Sequence, residues 1–389
     1  MDVRLASPPL YLIVHSDHPL DPLGPNSGAE MATLNHARYI AATGRSVCLA
    51  ARLKQPVTFD QGVHFIDLGA SYDIERALDW ADSQGKYVLL AAGKAFSILL
   101  SRRRERCIRR ILITHDRCAG DSGLKPEVIE HVCDAIVCVS HAQKDKLVSE
   151  GAPEHKMTVV HNGVDFSIFS PSRPEEHNPH RLVFAGALVP DKGLHLLISA
   201  FIELKGKYPK LELEVFGSSS LWSRTDYLDI AQLSSQVPGL IFHGKRTQRE
   251  IADGFRRSGV CVVPSIWFDP YPLISLEAQA CGTPVVAFKM GGLPEGIVQH
   301  QTGVVVEDIS AQALAHALDQ LLAHPHHLSV MSAQAATHAA RSFRWDSVVQ
   351  KILALCETVY SPTTMRVPIQ LRSADAYRRN EDLSRTTPN

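Results

Sequence analysis

Residues 264–288, PSIWFDPYPLISLEAQACGTPVVAF, carry two carboxylates, Asp269 and Glu277, in a stretch that otherwise reads as buried strand and helix. An ionised Glu rarely leaves water without a partner, because its desolvation costs several kcal/mol unless hydrogen bonds or a counter-charge offset it. Something polar must therefore meet Glu277. Asp269 follows the strand-like run GVCVVPS, and Glu277 falls in the first turns of the helix after it. In open parallel sheets, ligands bind beyond the carboxyl ends of the strands. Both carboxylates then face that crevice or its rim. A Glu near a helix start can accept hydrogen bonds from ligand hydroxyls while the free N–H groups of that start take phosphate. A nucleotide sugar offers both groups, ribose hydroxyls and a diphosphate.

Elements that must position these residues are legible along the chain. Short apolar runs of strand length alternate with helix-like segments, the pattern of parallel α/β architecture. In the first half the runs are LYLIVHS (10–16), SVCLAA, YVLLAA, RILITHD, DAIVCVS and KMTVVHNGVD. In the second they are RLVFAG (181–186), LELEVFG, LIFHG, GVCVVPS, PVVAF and GVVVE. Thr247 and Glu250 have capping-box spacing at the start of a helix. The segment 167–181, rich in Pro, Ser and charge, reads as an interdomain hinge. A long helical run begins near 310, the cluster HPHH (324–327) reads as a loop after it, and 343–360 reads as a final amphipathic helix.

Composition limits the function classes. At 389 residues the chain is long enough for two domains, each with its own core. Lys plus Arg (40) balance Asp plus Glu (41), so no bulk charge points to nucleic acid. No apolar run approaches the roughly 18 residues of a membrane helix, and the start of the chain lacks the features of a signal peptide. A cytoplasmic protein is expected. The eight cysteines include no C-x-x-C pair and read as reduced, buried thiols.

The stretch 264–297 resembles the signature of family 4 retaining glycosyltransferases, with its Glu-x7-Glu motif, CGTPVV and a GG.PE turn. Further matches follow in order: NSGAE (26–30), THD (114–116), VVHNGVD (159–165), GALVPDKGLHLLISAF (186–201) and GKRTQREIADGFRRSGVCVVPS (244–265). The resemblance covers about residues 10–360. It implies the GT-B fold, two Rossmann-like α/β domains facing each other across a cleft, with a C-terminal helix crossing back to the first domain. The expected limits are 1–170 for an acceptor domain, 178–345 for a nucleotide-sugar domain, 346–360 for the crossing helix and 361–389 for a disordered tail.

Carried over position by position, the resemblance assigns Glu277 to the donor ribose and Asp269 to the sugar hydroxyls. Backbone at Leu273, Ile274 and Gly28 cradles phosphate, Lys192 offsets charge on the leaving diphosphate, His115 sits near sugar and pyrophosphate, and Glu295 lies at the crevice rim. It also implies retention of configuration by front-side displacement, in which a departing phosphate oxygen accepts the acceptor's proton. No Asp-x-Asp occurs in the sequence, so no obligatory metal and no other cofactor is expected. Three positions depart from the family pattern. Asp269 replaces a Glu, Tyr271-Pro272 replaces Phe-Gly and removes one N–H, and Ala187 stands where the family has a phosphate-binding Arg, leaving Lys192, Lys245 or Arg246 to compensate.

The implied partners are a nucleotide-sugar donor, with UDP the expected base, and a small-molecule, lipid-linked or glycan acceptor. A hexose or N-acetylhexosamine would move to an acceptor hydroxyl in glycan or natural-product biosynthesis, an aminocyclitol antibiotic being one example. The basic run Arg102–Arg110 offers peripheral contact with anionic lipid at the inner membrane face; the alternative is a solvated helix end. Two other functions share the architecture, a sugar-nucleotide epimerase and a catalytically weakened sugar-nucleotide-binding protein. A dinucleotide oxidoreductase is disfavoured because no G-x-G-x-x-G follows the first strand.

Overall fold

The computed structural model describes residues 8–24, 26–115, 123, 125–171, 178–218 and 230–357. The expectations for the tail from 361 and for the middle of the hinge fall outside these residues.

The first half runs β1 (Leu10–His15), α1 (Gly28–Ala42), β2 (Val47–Ala51), β3 (Phe59–Asp60), β4 (Val63–Asp67), α2 (Ile74–Gln84), β5 (Tyr87–Ala92), α3 (Phe96–Ser101), β6 (Cys107–Thr114), α4 (Pro126–Val132), β7 (Ala135–Cys138), α5 (His141–Ser149) and β8 (Met157–Val159). Its strands form a sheet in the order β3-β4-β2-β1-β5-β6-β7-β8, parallel except for β3. The β3–β4 hairpin went unread in the sequence because β3 is two residues long and partly exposed, and β4 alternates buried Val63 and Phe65 with exposed His64.

The second half runs β9 (Asn178–Ala185), α6 (Leu194–Lys207), β10 (Glu212–Phe216), α7 (Ile230–Gln236), β11 (Leu240–Gly244), α8 (Gln248–Arg256), β12 (Ser258–Val263), α9 (Leu273–Ala280), β13 (Val285–Phe288), β14 (Gly303–Val306), α10 (Ala311–Leu322), α11 (Pro325–Ser342) and α12 (Trp345–Glu357). Its sheet is all parallel in the order β11-β10-β9-β12-β13-β14. The HPHH cluster is not a loop. His324 caps α11 and Pro325 opens it, where a missing N–H costs nothing.

Both faces of these strands are covered, so they read as unbroken apolar runs. In β1, Leu10, Leu12 and Val14 pack into one core with Ala77 and Leu78 of α2. Tyr11 and Ile13 point the other way, into a core with Leu34 and Ile40 of α1. Thr247 and Glu250 form the expected capping box of α8. In each sheet the strand order reverses beside its first strand, at β1–β5 and β9–β12. The loops leaving these strands open the crevice in which ligands bind.

Helix α12 crosses back onto the first half. Trp345 is buried edge-on to His36 of α1 with ring centroids 5.0 Å apart, and lies 6.1 Å from Tyr39. Arg45 pairs with Glu357 at 2.7 Å. A side chain at Gly163 would stand 2.8 Å from Trp345. The start of the connecting segment is held as well, since Phe169 is buried against Phe255 and Arg256 donates to the carbonyls of Ile168 and Ser170.

The arginine-rich run lies across the end of α3 and the start of β6. Arg104 pairs with Glu75, Asp79 and Asp82, and Arg106 with the Asp82 carbonyl. Arg110 binds the Ser101 hydroxyl at 3.1 Å and the Ser101 carbonyl at 2.8 Å. Much of the charge is thus spent within the fold. No helix of the described residues is long and apolar enough to cross a membrane.

Candidate functional site

The loops after β9 and β12, adjacent strands of the second sheet, bring Lys192 and Asp269 together. Lys192 ends a one-turn 3₁₀ helix, Pro190–Lys192, and is followed by Gly193 with φ +68°. A Cβ on Gly193 would lie 1.8 Å from the Pro264 carbonyl oxygen, so only glycine lets the two loops close. The Asp191 carbonyl then accepts from the Ile266 N–H at 2.9 Å. Lys192 Nζ reaches Asp269 Oδ2 at 2.6 Å and stands 4.7 Å from the centre of the Trp267 ring. The ammonium is thereby aimed by a carboxylate and an aromatic face. Trp267 was not singled out in the sequence, although it lies two residues before Asp269.

Helix α9 starts at Leu273, with Pro272 as its cap. Among the described residues, the N–H groups of Leu273 and Ile274 meet no carbonyl acceptor, which leaves the first turn open to an anion. Glu277, one turn on, is 8% exposed, and its carboxylate takes no hydrogen bond among the described residues. Burial, reinforced by the nearby charge of Asp165, pushes its pKa up to about 8. Asp165 ends the VVHNGVD match, where no role was assigned to it, so its field at Glu277 was not foreseen. The Ser275 hydroxyl, also in the first turns of α9, is buried and unpartnered among the described residues.

His115, at the carboxyl end of β6, is not brought into contact with Lys192 or Asp269. Its ring packs 6.3 Å from that of His36, and its Nε2 is buried with no partner among the described residues. Burial lowers its pKa to about 4, against the nearby Asn162 side chain, which favours the charged ring and raises it. Asn162 in turn donates to the Tyr271 carbonyl at 3.4 Å, one residue before the cap of α9. His15 and His36 are held lower still, at about 3, by burial and by His115. The three rings are therefore neutral at physiological pH, able to hydrogen-bond but not to neutralise charge. His15 and His36 went unnoticed because a lone His in an apolar run reads as core.

Gly28 is the first residue of α1, and a side chain there would meet nothing within 4 Å. It lies at a helix start with open space around it. Glu295 is engaged by the protein itself. It accepts from the His141 N–H at 2.8 Å, the Ala142 N–H at 2.7 Å and His161 Nε2 at 2.8 Å. Burial raises its pKa, but these hydrogen bonds outweigh burial and the net shift is downward. It thus caps α5 from the opposite half of the chain. Gly292, three residues earlier, allows this approach, since a Cβ there would meet the Pro270 carbonyl at 2.0 Å and Ser140 at 2.8 Å.

Residues 26–168 match the family model described as Glycosyltransferase Family 4, and residues 165–338 match Glycosyl transferases group 1. Together these matches span residues 26–338, and the chain belongs to glycosyltransferase family 4. This family 4 chain is 32% identical over 264 residues to the D-inositol 3-phosphate glycosyltransferase of Streptomyces bingchenggensis, covering 64% of the chain and 56% of that protein. It is 32% identical over 227 residues to the enzyme of the same name from Paenarthrobacter aurescens, covering 54% of each. The chain spans about half the length of the curated relatives it matches.

The fold is GT-B. A sucrose-phosphate synthase from Thermosynechococcus elongatus superposes with a TM-score of 0.74 at 20% identity, over 89% of this family 4 chain and 98% of the other. Anabaena HepE, solved in complex with UDP-glucose, superposes with a TM-score of 0.73 at 17% identity, over 90% and 100% of the two chains.

Proposed function

We propose that this chain moves a hexose or N-acetylhexosamine from a UDP-sugar to an acceptor hydroxyl, with retention of configuration. The observation that carries the reading is Glu277, a buried carboxylate that no donor meets among the described residues. Ribose hydroxyls would supply the donors it lacks, and a largely buried carboxylate is costly without them. In this reading the free N–H groups of Leu273 and Ile274 take the diphosphate, together with the helix start at Gly28. Lys192, held by Asp269 and Trp267, neutralises the leaving group, and Asp269 accepts from sugar hydroxyls. Neutral His115 donates near the scissile bond.

Glu295 bounds the cleft by joining α5 to the GG.PE turn. Catalysis then comes from positioning and charge stabilisation rather than from a covalent nucleophile. The 1–170 and 178–345 portions act as acceptor and donor domains. That its relatives are D-inositol 3-phosphate glycosyltransferases makes inositol 3-phosphate the first acceptor to try.

Calorimetry with UDP, GDP, ADP and CMP on the wild type and Glu277→Ala, with and without chelator, tests the reading. Selective UDP binding that survives chelation and drops at least tenfold in the variant supports it. Equal UDP affinity in the two proteins overturns the assignment of Glu277. An absence of binding by any nucleotide overturns the transferase reading itself. The epimerase alternative is tested separately, by release of UDP and an epimerised sugar without acceptor.

A further inference from the structure

Two imidazoles and a carboxylate converge where the halves of the chain meet. His141 is the first residue of α5, His161 follows β8, and Glu295 lies in the 3₁₀ turn Leu293–Gly296 after β13. One side-chain donor atom from each lies within 4.8 Å of the others. We propose that His141, His161 and Glu295 form a binding site for a divalent ion of the zinc class, tying α5 to the GG.PE turn. This site shares no side chain with the Lys192–Asp269 pair and carries no step of the transfer.

Four features fit it. The donor set, two imidazole nitrogens and one carboxylate, suits a borderline ion such as zinc and does not suit magnesium, which prefers oxygen ligands. His161 Nε2 and Glu295 Oε2 are 2.8 Å apart, so an ion at about 2.0–2.2 Å from each needs only a slight opening of that pair. The carboxylate is already oriented from behind by the N–H groups of His141 and Ala142, as second-shell donors orient a metal-binding carboxylate. The His141 ring is exposed, 5.9 Å from that of His161 by centroids, and is free to turn toward the ion.

Titration calorimetry of the full chain with zinc chloride, in a non-coordinating buffer and without nucleotide, tests the site. One zinc ion should bind, magnesium chloride should give no heat, and His141→Ala should weaken zinc binding at least tenfold. His327→Ala, a control on the exposed start of α11, should leave the binding unchanged. Zinc should also raise the melting temperature of the wild type but not of His141→Ala. No zinc binding by the wild type, or the same affinity and stoichiometry in His141→Ala, overturns the proposal. Because no nucleotide is present, neither result depends on the donor assignment.

Discussion

Lys192 Nζ stands 2.6 Å from Asp269 Oδ2, although the two residues are 77 positions apart in the chain. The pair is mostly shielded, with side-chain exposures of 22% and 10%. Removing either partner leaves an uncompensated charge in a partly dry site, at a cost of about 2–4 kcal/mol. Lys192→Ala and Asp269→Ala should each show that loss in urea unfolding, and the double variant should lose less than the sum. Additive losses would mean that the contact carries no coupling. UDP affinity should fall in Lys192→Ala at fixed ionic strength.

Glu277 makes stability depend on pH. Its pKa is about 8 in the folded protein and near the ordinary carboxylate value when unfolded. Between those values the folded state holds the extra proton, so this group's contribution to stability falls as pH rises from about 4.5 to 8. Glu277→Gln should remove that part of the slope and be more stable than wild type at pH 8.5, by on the order of a few kcal/mol. Melting temperatures of both proteins from pH 5 to 9 check it, and parallel curves would refute the assignment.

The same proton links donor binding to pH. If ribose hydroxyls donate to the Glu277 carboxylate, the ionised form is the one that binds. UDP should then bind several-fold more tightly at pH 8.5 than at pH 7, and level off above that. Calorimetry across this range, repeated on Glu277→Gln, should give a sloped and a flat profile respectively.

Gly193 should tolerate no side chain. Its φ of +68° and the 1.8 Å approach to the Pro264 carbonyl combine backbone strain with a clash against main chain. Gly193→Ala should lose at least ~2 kcal/mol of stability. It should also weaken UDP binding by displacing Lys192, whereas Gly206→Ala, in open space on α6, should do neither.

Trp345 anchors the crossing helix. It is fully buried against His36, Tyr39 and Gly163, so Trp345→Ala should cost about 3–5 kcal/mol. Trp345→Phe should recover most of that, because the ring and not the indole N–H fills the site. Chemical unfolding of the three proteins measures it. An unchanged midpoint in the alanine variant would show that α12 is not part of the cooperative unit.

Much of this molecule was written locally. Every strand of five or more apolar residues could be read, because parallel strands covered on both faces are unbroken hydrophobic runs, and so could the α8 cap and the order of the family motifs. Glu277 announced itself as a polar exception in apolar company. The β3–β4 hairpin and the α11 start at His324 were missed, since a two-residue strand has no period and a Pro-His cluster looks like a loop until its helix is seen.

What only the tertiary structure decided is who meets whom. That Lys192 faces Asp269 depends on two loops closing through one positive-φ glycine. The capping of α5 by Glu295, and the gathering of His15, His36 and His115 around the end of β6, depend on how separate elements dock. Periodicity and turn chemistry act over a few residues and determine the elements. Contacts between residues tens to hundreds of positions apart are set by packing, which no local pattern encodes.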